Sequence, residues 1–180
     1  QQDGADCKGF VRHFLFFRQR VMPPRRGIFI RKYRFPTHRE AYMKKIPCMI
    51  IRGGTSKGVY FRQDDLPADP AARDRVLLAI MGSGEASQIN GLGGATSLTS
   101  KIGIISKSAR PGIDLDYLFA QAGIEQKTID TRPSCGNILS GIICYAGESG
   151  LIALEDGVTT VKVYNVNTDS IIEVSAETPN

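Results

Sequence analysis

Ser134-Cys135-Gly136-Asn137 opens the stretch that decides the fold, and Ile138-Leu139-Ser140-Gly141-Ile142-Ile143-Cys144-Tyr145-Ala146-Gly147-Glu148-Ser149 follows it. No charge lies between Cys135 and Glu148, and Ile138, Leu139, Ile142, Ile143, Tyr145 and Ala146 spread around most of a helical circumference. A helix that is apolar on nearly every side must be buried. The pattern therefore predicts one central helix over residues 138–149, with Gly150 as its C-cap. A thiol at the first turn of a helix faces unpartnered backbone N–H groups and the positive end of the dipole, which favours a thiolate and would equally favour a bound carboxylate. Cys135 is thus a candidate for acid/base work on an anionic substrate, although by itself it reads as well as a small buried apolar residue.

Working outward, residues 48–52 and 59–62 read as strands around Gly53-Gly54-Thr55-Ser56-Lys57-Gly58, a hairpin with a widened loop. Asp69 as N-cap, Pro70 at the first helical position, and Val76, Leu77, Ile80 and Met81 on one face predict a helix over 70–81. Residues 82–100 are too rich in Gly, Ser and Thr for a core element and too long for an idle connection, which marks them as a ligand-touching loop. Strands are expected over 101–106, 115–122 and 127–130, and a hairpin over 158–166 and 171–176 through Asn167-Thr168-Asp169-Ser170. The fold class that follows is α+β, with curved antiparallel strands around a central buried helix and a second helix outside.

At 180 residues, 42% hydrophobic and 23% charged, the chain suits one globular domain. No apolar run approaches the roughly 18 residues that span a bilayer. The net charge of +5 is unevenly placed. Residues 1–42 hold ten Lys/Arg against Asp3, Asp6 and Glu40, a net of +7, while the remainder holds 13 basic and 15 acidic residues, a net of −2. Both histidines, His13 and His38, lie in that leader, so neither a Ser/His triad nor a histidine-ligated metal centre can be built from the body alone. Cys7, Cys48, Cys135 and Cys144 show no CxxC spacing, and reduced thiols in the cytoplasm are expected. Phe14 to Phe17 is interrupted at once by Arg18 and Arg20, so no secretory signal forms. Met43-Lys44-Lys45-Ile46-Pro47 reads like a protein start, and residues 1–42 are expected to be non-native or disordered upstream sequence. The alternative is a basic arm that binds phosphate or RNA and lets go as salt rises.

Three polar, Gly-rich segments carry the chemistry: residues 52–58, 91–101 and 134–137. Gly93-Gly94-Ala95-Thr96-Ser97-Leu98-Thr99-Ser100-Lys101 could hold an anion through backbone amides and hydroxyls, ending in a cation at the mouth of a strand. The GxxxxGK[ST] order of a phosphate-binding loop is absent, and Gly91-Leu92-Gly93-Gly94 lacks the strand-GxGxxG-helix context of a dinucleotide site.

Taken together, Arg52-Gly53-Gly54-Thr55-Ser56-Lys57-Gly58, Asp74 in the following helix, Met81-Gly82-Ser83, Gly91-Leu92-Gly93-Gly94, Leu98-Thr99-Ser100-Lys101, Asp116-Tyr117-Leu118-Phe119-Ala120-Gln121 and Cys135-Gly136-Asn137 are more specific. Their order and spacing over residues 43–180 resemble the PrpF family, which contains 4-oxalomesaconate tautomerase and 2-methylaconitate cis-trans isomerase. The resemblance implies a diaminopimelate epimerase-like fold of two similar halves, each a curved sheet around a central helix, of which residues 43–180 supply the N-terminal one and the second half is missing. It implies that Lys101 is the base and Cys135 the active-site thiol, with no metal or organic cofactor. Arg52, Gly54, Thr55, Ser56, Thr99, Ser100, Gly136 and Asn137 are the candidates for binding a small polycarboxylate substrate. Ser134 and Asn90 depart from the residues usual in the family. The expected activity is a cofactor-independent 1,3-proton shift in an unsaturated di- or tricarboxylate resembling 4-oxalomesaconate, with the 2-methylaconitate reaction as the alternative. An inactive truncated fragment is the rival reading; no nucleic-acid or membrane partner is expected, and a homo-oligomer is allowed.

Overall fold

The structure, a computed structural model, describes residues 12–16 and 45–179. In chain order its elements are β1 (Arg12–Phe16), β2 (Lys45–Gly53), β3 (Ser56–Arg62), α1 (Pro70–Met81), β4 (Lys101–Lys107), β5 (Leu115–Ala122), β6 (Ile129–Asp130), α2 (Gly136–Leu139), α3 (Ile142–Glu148), β7 (Gly157–Asn165) and β8 (Ser170–Thr178). The eight strands form one sheet in the order β1-β2-β3-β4-β5-β7-β8, and β6 also pairs with β5. No helix among the described residues is long and apolar enough to cross a membrane.

The fold is mixed α/β and mostly sheet, and it corrects the expectation of purely antiparallel strands. β3 runs parallel to β4, and β5 runs parallel to β7. In each case the chain between the partners is long and contains a helix, which brings it back to the end of the sheet it started from and so permits a parallel neighbour. The first hairpin also differs from the reading. Gly53 pairs directly with Ser56, so the turn is only Gly54-Thr55, with Gly54 at φ 50. Residues 127–128 are not strand, and Arg12–Phe16, within the leader expected to be non-native or disordered, form β1 and pair antiparallel with β2.

Strand alternation divides the core into two layers. On the outer face, Val59, Phe61, Ile102, Ile104 and Ala120 pack with Leu77, Ile80 and Met81 of α1. Asp69 caps α1 by accepting the Ala72 N–H at 2.8 Å, and Gly82 ends it in the left-handed conformation at φ 71. On the inner face, Tyr60, Ile105, Tyr117 and Phe119 pack with Ile138, Ile142 and Ile143 of α2 and α3. The middle strands are therefore covered on both sides.

The central helix is where it was expected, but one tighter turn at Ser140-Gly141 divides it. The cause is Tyr60. Its hydroxyl donates to the Ile138 carbonyl at 2.5 Å, occupying an acceptor that the helix would otherwise use, and Gly141 N–H bonds the same carbonyl at 3.2 Å. A Cβ on residue 141 would lie 2.6 Å from that hydroxyl, so the close approach requires glycine. Gly150, at φ 72, ends α3 as expected, and the Leu151 N–H closes back on the Ala146 carbonyl at 2.8 Å.

Candidate active site

The β2–β3 turn packs directly onto the start of α2. A Cβ on Gly53 would lie 1.8 Å from the Asn137 carbonyl oxygen, and one on Gly54 would lie 2.6 Å from Asn137 Oδ1. That approach lets Asn137 Nδ2 donate to Thr55 Oγ1 at 2.9 Å and to Ser56 Oγ at 3.3 Å. The first and third Gly-rich segments thus meet. The second joins them, because the Lys57 N–H donates to the Leu98 carbonyl at 2.9 Å.

Lys101 opens β4 between Gly58 of β3 and Gln121 of β5. Its ammonium donates to Gln121 Oε1 at 2.9 Å and stands 5.1 Å from the Phe119 ring centroid. Cys135 is a half-buried free thiol packed against the inner core, immediately before α2. Its carbonyl accepts the Leu139 N–H at 3.0 Å and the Tyr117 hydroxyl at 3.1 Å. Ahead of it, a Cβ on Gly136 would meet nothing within 4 Å, so the approach to the first turn of α2 is open.

Lys101 and Cys135 both lie against the inner face of the sheet. Along β5, Tyr117, Phe119 and Gln121 alternate onto the inner face, the first reaching the Cys135 peptide and the other two reaching Lys101. Gly58, the strand partner of Lys101, would place a Cβ 2.7 Å from Ile138, three residues beyond Cys135. Because α2 is a single turn, the expected dipole of a long helix is replaced by the local N–H groups of residues 136–138, which precede the first intrahelical bond.

The remaining expected residues divide by exposure. Arg52, Gly54, Thr55 and Gly136 are exposed, with Arg52 Nε donating to the Gly54 carbonyl at 3.3 Å. Thr99 is half-buried, its hydroxyl 3.0 Å from that of Thr96. Ser56 is buried beside Asn137, and Ser100 is wholly buried with its hydroxyl donated to Gln88 Oε1 at 2.7 Å. Gln88 also accepts the Ala95 N–H at 2.8 Å and holds a left-handed backbone at φ 47, so it is the internal post around which loop 82–100 folds.

Sequence reading passed over the residues that hold this region in place. Tyr60 and Tyr117 grip α2 and the Cys135 peptide, and burial pushes both phenols above their ordinary range, helped by Cys135 for Tyr60 and by Tyr60 and then Cys135 for Tyr117. Asn165 Nδ2 donates to Ser134 Oγ at 2.8 Å, and Asn167 bonds both the N–H and the carbonyl of Phe119. The period of two in 117, 119 and 121 was the available signal for β5; nothing local marks Tyr60 or Asn167. Away from the site, the Arg132 guanidinium and N–H hold the Asp130 carboxyl down to about 2, and burial pushes the Cys48 thiol up to about 11. Among the described residues, no three His, Cys, Asp or Glu side chains gather to hold a metal.

Fold and geometry together define a mixed α/β, mostly sheet domain in which the three Gly-rich segments meet and Lys101 and Cys135 both lie against the inner face of the sheet. Residues 43–180 match the family described as PrpF protein, and the chain belongs to that family. It is 53% identical over 127 residues to the 4-oxalomesaconate tautomerase of Pseudomonas putida, covering 71% of this chain and 35% of that protein. It is 50% identical over 141 residues to the (4E)-oxalomesaconate Delta-isomerase of a Novosphingobium species, covering 78% of this chain and 40% of that protein. The chain thus spans well under half the length of these relatives. The crystal structure of methylitaconate-delta-isomerase superposes with a TM-score of 0.72 at 41% identity, covering 75% of this chain and 60% of that one.

Proposed function

We propose that the chain provides the catalytic lysine and thiol of an isomerase that moves a proton across three carbons of a small unsaturated di- or tricarboxylate resembling 4-oxalomesaconate. The observation that carries this reading is the meeting of the three Gly-rich segments at one end of the sheet, with Lys101 and Cys135 on the same inner face. Relatives named for oxalomesaconate, at half identity or better, point to the same substrate class.

In this mechanism the Lys101 amine removes the allylic proton, and the electron pair delocalises as a dienolate toward the adjoining carboxylate or carbonyl. The N–H groups of Gly136 and Asn137, fixed in place before charge develops, stabilise the oxyanion. Cys135 stands at the same helix start to return a proton at the far carbon, shifting the double bond. The overall change is redox-neutral, so a proton donor and acceptor suffice. Arg52, Thr55 and Thr99 hold the substrate carboxylates, Gly54 lets the backbone approach, and Ser56 and Ser100 shape the loops from inside. The domain is one half of a diaminopimelate epimerase-like fold acting in the cytoplasm.

The test is deuterium incorporation. The chain is incubated in deuterium oxide with 4-oxalomesaconate, 2-methylaconitate or methylitaconate and followed by proton NMR. Incorporation at the allylic carbon, abolished by Lys101→Ala, is expected with 4-oxalomesaconate. Incorporation that survives Lys101→Ala removes the lysine as base, and none with any of the three overturns the reading.

A further inference from the structure

We infer that Gln121 is the positioning residue for Lys101, orienting its amine through a side-chain amide that is itself locked. The inference rests on the proton-shift reading above. A lysine has four rotatable side-chain bonds, and one that abstracts a proton from carbon must hold its nitrogen to within a fraction of an ångström of a fixed place. Lys101 is restrained by two contacts. Its ammonium donates to Gln121 Oε1 at 2.9 Å and stands over the Phe119 ring.

The orientation of the glutamine amide is itself determined. Gln121 Nε2 donates to the Ser100 carbonyl at 2.8 Å, with the Ala122 carbonyl at 3.3 Å and the Ser97 carbonyl at 3.4 Å around it. Turning the amide over would set an oxygen against those carbonyls and an NH2 group against the ammonium. Its oxygen must therefore face Lys101. Register reinforces this, because Lys101 and Gln121 are direct antiparallel partners with side chains on the same face of the sheet.

Glutamine also suits a base better than its acidic isostere does. It accepts one N–H in either protonation state of lysine and leaves the rest of the nitrogen free to turn toward a substrate, without adding a negative charge beside an anionic ligand. Ser100 completes the support. Its hydroxyl is anchored on Gln88 and its carbonyl receives both Gln121 Nε2 and the Ala122 N–H, so loop 82–100 and β5 hold the amide from opposite sides.

The test uses this chain and separates position from activity. In the wild type the ε-methylene protons of Lys101, assigned by their disappearance in Lys101→Arg, are expected upfield of the other lysines because the Phe119 ring lies beneath them. Gln121→Ala, and Gln121→Asn, whose amide is one methylene too short to reach, should return them to the free-lysine position. The same two variants should lower kcat for deuterium incorporation at least tenfold with KM changed less than twofold. An upfield signal that is missing in the wild type, or that persists in the variants, overturns the inference whatever the activity. Two variants guard against one that fails to fold. An upfield signal that is present in the wild type and lost in both variants, from a wild type that shows no isomerase activity, supports the positioning role and counts against the proposed function instead.

Discussion

Lys101, Cys135 and Gly53 show how much single positions carry. If the thiol and the helix-start amides share the work, as proposed, Cys135→Ser should lose less activity than Lys101→Ala, because the N–H groups of residues 136 and 137 remain. Deuterium incorporation rates for the two variants, measured side by side, check that order. Gly53 is constrained by packing: its Cβ would fall 1.8 Å from a backbone oxygen of Asn137, and neither strand nor helix can yield without moving the other. Gly53→Ala is therefore expected to lose at least the ~1–3 kcal/mol of an overpacked core, read as a shift in urea midpoint. The positions of Cys135 before a buried helix and of Lys101 at the mouth of a strand were legible from neighbouring residue types. The constraint on Gly53 was not, because the atom it avoids lies 84 positions away along the chain.

Elements behave as their ends and their partners allow. α1 was readable in full from Asp69, Pro70 and its apolar spacing, since capping is a local matter. The central helix was readable as buried but not as divided, because the tighter turn at Ser140-Gly141 is imposed by a hydroxyl from β3. Two substitutions separate these cases. Asp69→Ala removes an exposed cap and should cost about 1 kcal/mol. Tyr60→Phe removes one of the two hydrogen bonds that the buried Ile138 carbonyl accepts and leaves that of the Gly141 N–H, and the lost bond should also cost about 1 kcal/mol. Thermal melts of the two variants check both values. An unchanged Tm for Tyr60→Phe would show that the hydroxyl does not hold the tighter turn.

Across the whole molecule, stability should be graded from the centre of the sheet outward. β3, β4 and β5 are buried on both faces, whereas every second residue of β8 is exposed, from Ile171 to Glu177. Amide hydrogen exchange should accordingly be slowest in β3 to β5 and fastest in β8, as followed by NMR. Equal protection of β8 would show that its outer edge is covered in solution. The sequence by itself determined what depends on near neighbours: the caps of α1, the αL glycines that end helices, and the burial of the central helix. Only the tertiary structure decided which strands run parallel, where the helix tightens, and that Gln121 faces Lys101. Each of these depends on hydrogen bonds and steric limits between groups far apart in the chain, and local propensity carries no information about which distant group arrives.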